Sequence, residues 1–577
     1  MSKLSMKEFI QNLTRRLEGL GHEELKKILL DHAESLPPGE RADFLDMFVT
    51  RRKPSGKKKK ASDGDYLLRE IEAFEKRADD FEYSTGWGWD DEYGEERAWG
   101  DDSWTGEIDD LFNAIEEFYQ AGDYVLAGRA YEKLLDIYFG GNEEGQFSGY
   151  NQDEMMATDI REAVLKYLRC VYMTETAADR PDALFEAMGN YGGYMQLDIE
   201  GVMTVSLEDL PDLERFGRDW IVYLKGQPRS RMASDLLKEA VRLFEGTKGL
   251  ETLALEQGRQ FPGAYVEWLD ALKKEGLHED MIRAALSGME RLPDNLVIRA
   301  DMADYLREAA EGLGRDDLRE RALREALYAS PCLERLLDLL EFAKSSEERE
   351  RYIEGALARF EDIRTRYPER MRVVVNFDRS LDLRETSVSE SMENYCHLLK
   401  GNYEQAAACM KGGKPLGWSG EDNISALLVS FFLFARWNRE KPLAANISNL
   451  WNEATDLTQY GMWIIPRPGT AESNRFRTRL EKVLAENPFD QADLETYFKM
   501  AEEAVKKRVD AIVGNKHRKS YWKAAQLILS VAEVYWSNNE RGKGQMLIVS
   551  SRDKFNRHYA FKNELKVMAN KSRIFSL

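Results

Sequence analysis

The sequence predicts an all-α chain: an α-solenoid of antiparallel helix pairs behind a small N-terminal helical module. Three observations carry this. Apolar residues recur at helical spacing along nearly the whole chain. The spacing Gly-x-Tyr-x-x-Ala occurs at Gly122, Tyr124 and Ala127 and again at Gly401, Tyr403 and Ala406, each time at what reads as the turn of a helical hairpin. Arg283 to Pro293 also resembles Arg321 to Pro331; the two prolines are 38 residues apart, and each ends a helix that it cannot continue.

Residues 1–50 read as the N-terminal module. Phe9, Leu13 and Leu17 make one apolar face, Leu25, Ile28 and Leu29 a second, and Phe44, Leu45 and Phe48 close it. Residues 51–65, RRKPSGKKKKASDGD, have no apolar anchor and read as a basic flexible linker. Residues 66–410 form the repeat body. Within it, Phe81 to Trp104 mixes Trp87, Trp89, Tyr93, Trp99 and Trp104 with Asp90, Asp91, Glu92, Glu95, Glu96, Asp101 and Asp102, and reads as a loop pinned by its aromatic residues. Arg372 to Phe377 is the one strand-like run. In the second Gly-x-Tyr-x-x-Ala copy the helix should stop near Met410. Lys411, Gly412, Gly413, Lys414 and Pro415 follow, and a helix loses about 1 kcal/mol per glycine and about 3 per proline. Residues 411–420 therefore read as an exposed Gly-rich break, and residues 421–577 as a C-terminal helical domain.

Composition limits the function classes. With 577 residues the chain is too long for one core, and 43% apolar content lets it bury several. Lys+Arg 82 against Asp+Glu 103 leaves −21, which disfavours general nucleic-acid affinity and favours a basic protein partner. The charge is uneven: 16 basic and 5 acidic residues from Lys506 to Leu577 give +11, leaving −32 for the rest. Met1 to Met6 is polar, so no signal peptide is expected. The most apolar run, Ile424 to Trp437, is too short to span a bilayer. Cys170, Cys332, Cys396 and Cys409 are scattered, as in a cytoplasmic protein with free thiols.

No catalytic motif stands out. Gly412-Gly413-Lys414 runs into proline and lacks the preceding glycine of a phosphate loop. The six histidines are dispersed, and Cys396 and His397, adjacent on a helix, point in different directions. No cofactor or metal site is expected. The acidic Trp87 to Trp104 segment does not match a calcium loop, but it is the place where an enzyme of unfamiliar type would keep its carboxylates.

The Gly122-Asp123-Tyr124 turn, with Ala127 and Tyr131 on the helix after it, resembles a tetratricopeptide repeat. Together with Gly86-Trp87-Gly88-Trp89-Asp90, Gly417-Trp418-Ser419 and the Ala560-Phe561 to Leu565 tail, it is similar to a family of bacterial helical-repeat proteins related to tetratricopeptide arrays. Within that group the chain resembles the protein substrates of the type III-E CRISPR caspase-like protease. That resemblance implies a non-enzymatic regulator, cut once at a Met–Lys bond into two parts and associated with an extracytoplasmic-function sigma factor. Here the bond is Met410-Lys411; the other Met–Lys pair, Met6-Lys7, lies at the terminus. The expected partners are thus a caspase-like CRISPR protease and a basic sigma factor, with no membrane. The rival expectations are an uncleaved tetratricopeptide-like scaffold and the unfamiliar enzyme. A wide, acidic concave surface favours binding, whereas a deep pocket with converging carboxylates favours catalysis.

Overall fold

A computed structural model describes residues 6–35, 61–90, 95–149, 152–228, 230–366, 383–412, 424–456 and 474–575. The described chain is all-α apart from one antiparallel strand pair and an isolated bridge between Leu296 and Glu385. It divides into two compact units, Met1–Thr252 and Leu253–Leu577. The division falls inside the Gly246–Gln257 helix, where the sequence reading placed no boundary, and no unit begins at residue 411 or 421.

In the first unit the helices Trp104–Gln120 and Tyr124–Glu144 form the predicted hairpin. Gly122 takes φ +77°, a left-handed conformation that costs glycine little. The Asp123 side chain then accepts from the Leu126 N–H at 3.3 Å and caps the second helix. That helix buries Ala127, Ala130, Tyr131, Leu134 and Leu135, a continuous apolar stripe. Ile160–Thr174, Arg180–Tyr191, Leu213–Gly226 and Arg231–Phe244 continue the array, each packed on a neighbour in the chain. At the other end, Ala61–Asp79 is helical throughout. Residues 61–65, read as linker, therefore already belong to a helix, and a Cβ on Gly64 would run into Leu126; residues 51–60 lie outside the described part.

The helices Met6–Glu18 and His22–Ser35 form as expected. Their apolar faces do not make a closed core among the described residues: Phe9 is 48% and Ile28 51% exposed. Phe44, Leu45 and Phe48 lie outside the described residues.

The second unit repeats the hairpin device. Gly276 and Gly314, both left-handed, turn Gly263–Lys274 into His278–Arg291 and Ile298–Gly312 into Asp316–Ala329. They are 38 residues apart, the same interval as the two prolines. From Leu333 onward the helices close on one large apolar core that runs from Leu323 to Phe575. It includes Leu427, Leu428, Val429 and Phe431 to Phe434 of the Ser425–Arg436 helix, the buried helix expected from the apolar run. Among the described residues no helix is long and apolar enough to cross a membrane. Arg372 to Phe377, the strand-like run, lies outside the described residues.

Candidate functional site

The second Gly-x-Tyr-x-x-Ala copy folds as a truncated hairpin. Glu390–Lys400 ends at Gly401 with φ +81°. Tyr403–Ala406 is a single α turn, and the backbone then tightens to a 3-10 helix over Ala407–Gly412. The α geometry thus stops four residues before the expected point, and the Met410-Lys411 bond lies inside the 3-10 stretch. Met410 and Cys409 are half-buried against the core, with the Cys409 thiol 3.9 Å from the Ser425 hydroxyl. A protease needs extended backbone, so this turn has to unwind before cleavage. Its 3-10 hydrogen bonds have poorer geometry than α-helical ones, which lowers the cost. Residues 413–420 of the Gly-rich break lie outside the described part.

Cys396 is completely buried, and burial pushes its thiol up, the opposite of what a nucleophile requires. Burial pushes the His397 imidazole down. The pair is set in a helix wall rather than around a cleft.

The acidic aromatic segment is a strand pair held at both ends. Gly86–Asp90 runs antiparallel to Glu95–Trp99, with Trp89 opposite Glu96. Before it, Tyr83 is buried and its hydroxyl meets Arg77 and Glu107 at 2.8 and 2.9 Å. After it, Trp104 is buried, stacks on Phe147 at 4.7 Å and donates its indole N–H to the Ser148 carbonyl. Trp89, by contrast, is 60% exposed. The loop reading thus holds for the anchors and not for the middle, which is a β-hairpin. The carboxylates proposed for an unfamiliar enzyme, Asp90 to Glu96, lie outside the described side chains.

Sequence reasoning missed the groove of the first unit. A cavity of about 450 Å³ opens between Tyr124–Glu144, Ile160–Thr174 and Arg180–Tyr191. Val125, Val171, Ala183 and Ala187 supply apolar lining, and Glu132, Glu175 and Glu186 outnumber the one lining cation, Arg129. Phenols from later helices fix the neighbouring carboxylates. Tyr167 donates to Glu132 at 3.0 Å, Tyr191 to Asp136 at 2.8 Å, and Tyr223 to Asp182 at 2.7 Å. Burial, then the facing carboxylates, push the Tyr167 phenol well above its ordinary range, so the proton stays on oxygen and the carboxylate stays the acceptor. The second unit has a smaller cavity, about 320 Å³, lined by Arg307, Glu311, Asp316, Arg319, Asp338 and Lys344. There the charges pair off: Arg319 with Glu311 at 3.0 Å, Lys344 with Asp316 at 3.2 Å, Arg307 with Asp338 at 3.7 Å, and Glu341, which also lines the cavity, with Arg475 at 2.9 Å. The first groove therefore presents uncompensated negative charge and the second does not. Among the described residues no cluster of three or more His, Cys, Asp or Glu is placed to hold a metal.

The architecture defines a class: a helical-hairpin repeat protein with a carboxylate-lined groove. No family model and no curated protein matches the chain. Among solved structures it is similar to a circular tandem repeat protein with novel repeat topology and enhanced subunit contact surfaces. The match covers 89% of this chain and 96% of that one at 13% identity, with a TM-score of 0.15. At that score the backbones do not superpose, and the similarity carries no argument about fold or function.

Proposed function

We propose that the chain is a non-enzymatic, cytoplasmic protein-interaction regulator. It holds a basic protein and is controlled by a cut at Met410-Lys411, as the resemblance to the substrates of the type III-E CRISPR caspase-like protease implies. A basic sigma factor is the partner class. The observation that carries the binding half is the first unit's groove, whose three carboxylates outnumber its one lining cation, with Glu132 held in place by the Tyr167 phenol. Pre-positioned charge favours a cationic partner and steers its approach. Pull-down from the native host should recover a basic protein with the full chain, and lose it at high salt and with Glu132→Lys/Glu186→Lys. An unchanged partner set with the charge-reversed chain would overturn the binding reading. For the second half, the caspase-like protease complex should cut once, between Met410 and Lys411, and Lys411→Pro should block the cut.

One observation favours a second reading, the uncleaved scaffold: Met410 is half-buried and its bond is helical rather than extended. Failure of the protease to cut the folded chain, with the groove still binding its partner, would select it.

A further inference from the structure

We propose that a chain cut at Met410-Lys411 does not come apart, because the two pieces share one interface: the partner of the amino-terminal piece is the carboxy-terminal piece itself. The inference takes its setting from the proposed cut but does not depend on which protease makes it.

The core from Leu323 to Phe575 runs straight through the cut site, with buried residues on both sides of it. The truncated hairpin sits in the middle as a clasp. Tyr403, before the cut, is 8% exposed. Its ring stacks on Phe489 at 4.1 Å and lies 5.6 Å from Phe431, and both of those rings come after the cut. Its hydroxyl donates to the Asn487 carbonyl at 2.8 Å. Tyr395 meets Phe476 edge-on at 6.0 Å, again across the cut. At the rim, Arg475 from the later piece reaches back to Asp338 at 2.6 Å and Glu341 at 2.9 Å, and Arg349 from the earlier piece reaches Glu486 at 3.1 Å. None of these contacts uses the Met410-Lys411 bond. Hydrolysis replaces that amide with a carboxylate on Met410 and an ammonium on Lys411, adding one water. Both new charges arise at a half-buried 3-10 turn, where they loosen the last residues of the clasp rather than the ring cluster behind it.

The consequence is regulatory. The cut prepares separation without performing it, and a further force, such as a partner pulling on one piece, has to finish it. A piece that dissociates exposes Phe431 and Phe476, both 0% exposed in the intact chain, so free pieces carry an apolar surface that demands another partner.

The test uses the full chain with a recognition sequence for a site-specific protease inserted between Gly412 and Gly413, so it is independent of the natural cut. After complete digestion, gel filtration should give one peak at the position of the intact 66.5 kDa chain, containing both pieces. Two peaks at the sizes of the separate pieces would overturn the proposal. In the cut chain, Tyr403→Ala should speed exchange of a labelled carboxy-terminal piece by about 100-fold, while Tyr403→Phe, which keeps the stack, changes it far less. If Tyr403→Ala fails to fold before cutting, Arg475→Ala serves instead, with faster exchange at low salt. Exchange rates that ignore all of these substitutions would show that the clasp does not hold the pieces, and would equally overturn the proposal.

Discussion

Two hairpins share the spacing Gly-x-Tyr-x-x-Ala and have different fates. After Gly122 the second helix runs for 21 residues; after Gly401 the α turn has 4 and hands over to a 3-10 helix. The turns themselves are alike, both built on a left-handed glycine. The difference lies downstream. Ala127 leads into Ala130, Tyr131, Leu134 and Leu135, an apolar stripe that the neighbouring helices cover. Ala406 leads into Lys411, Gly412, Gly413 and Pro415, which offer no such stripe. The tyrosines diverge accordingly. Tyr124 is half-buried, edge-on to Tyr119 at 5.6 Å, whereas Tyr403 is wedged among Phe431, Phe489 and the Asn487 carbonyl. A turn motif fixes how a hairpin begins, and the residues after it decide whether the second arm is a helix or a plug.

The sharpest way to break this comparison is to truncate both tyrosines. Tyr403→Ala removes a buried aromatic and should cost about 3–5 kcal/mol, while Tyr124→Ala should cost about 1 kcal/mol; urea unfolding of each variant measures both. Equal losses would mean that the second tyrosine is no plug. Next come the glycines. A Cβ on Gly401 meets Asn487 at 2.7 Å, whereas one on Gly122 meets nothing within 4 Å. Gly122→Ala should then cost only the left-handed strain, roughly 1 kcal/mol, and Gly401→Ala roughly twice that or more. A larger loss at Gly122 would contradict the packing difference.

Buried carboxylates extend the comparison to the two units. Glu533 is enclosed and accepts from the N–H groups of Asn446 and Ile447, the first turn of Ala445–Ala454; Glu239, which keeps some contact with water, does the same for Ile199 and Glu200. Burial, the largest cause, pushes each carboxyl up to about 7. A carboxyl raised in the folded state holds its proton more tightly there than when unfolded. Its stabilising contribution is therefore full below the ordinary glutamate range and is lost as pH rises toward 7. Thermal melts should show stability falling between pH 5 and about 7.5 from this source, with Glu533→Gln flattening the fall more than Glu239→Gln, because water screens Glu239 in part. A smaller effect is expected at the groove. Tyr167→Phe removes one phenol–carboxylate hydrogen bond and should cost about 1 kcal/mol, while weakening capture of the basic partner by freeing Glu132.

The helical class, the Gly122 hairpin and the 38-residue period were legible because each rests on local chemistry: glycine at a positive φ, small residues where helices touch, proline after a helix. The strand pair at Gly86–Asp90 and Glu95–Trp99 was not. Gly-Trp-Gly-Trp-Asp has no β-branched residue, and only the pairing across the turn makes it a strand. The groove escaped for a related reason. Glu132 and Tyr167 lie 35 residues apart on different helices, as do Asp270 and Tyr305 in the second unit, and only packing brings such pairs together. That recurrence, a tyrosine about one repeat after a carboxylate, was the signal available in the sequence. At Met410-Lys411 the dipeptide could be read directly, but its 3-10 setting depended on Tyr403 finding Phe489.

The most direct test of the account is limited proteolysis of the intact chain at low protease concentration, followed by N-terminal sequencing of the first fragments. The account predicts that the weak arm of the second hairpin yields first, with fragments beginning at Lys411 or within a few residues of it, while the Gly122 hairpin stays whole. First fragments that begin near Gly122, or elsewhere with Met410 to Lys414 intact, would contradict it.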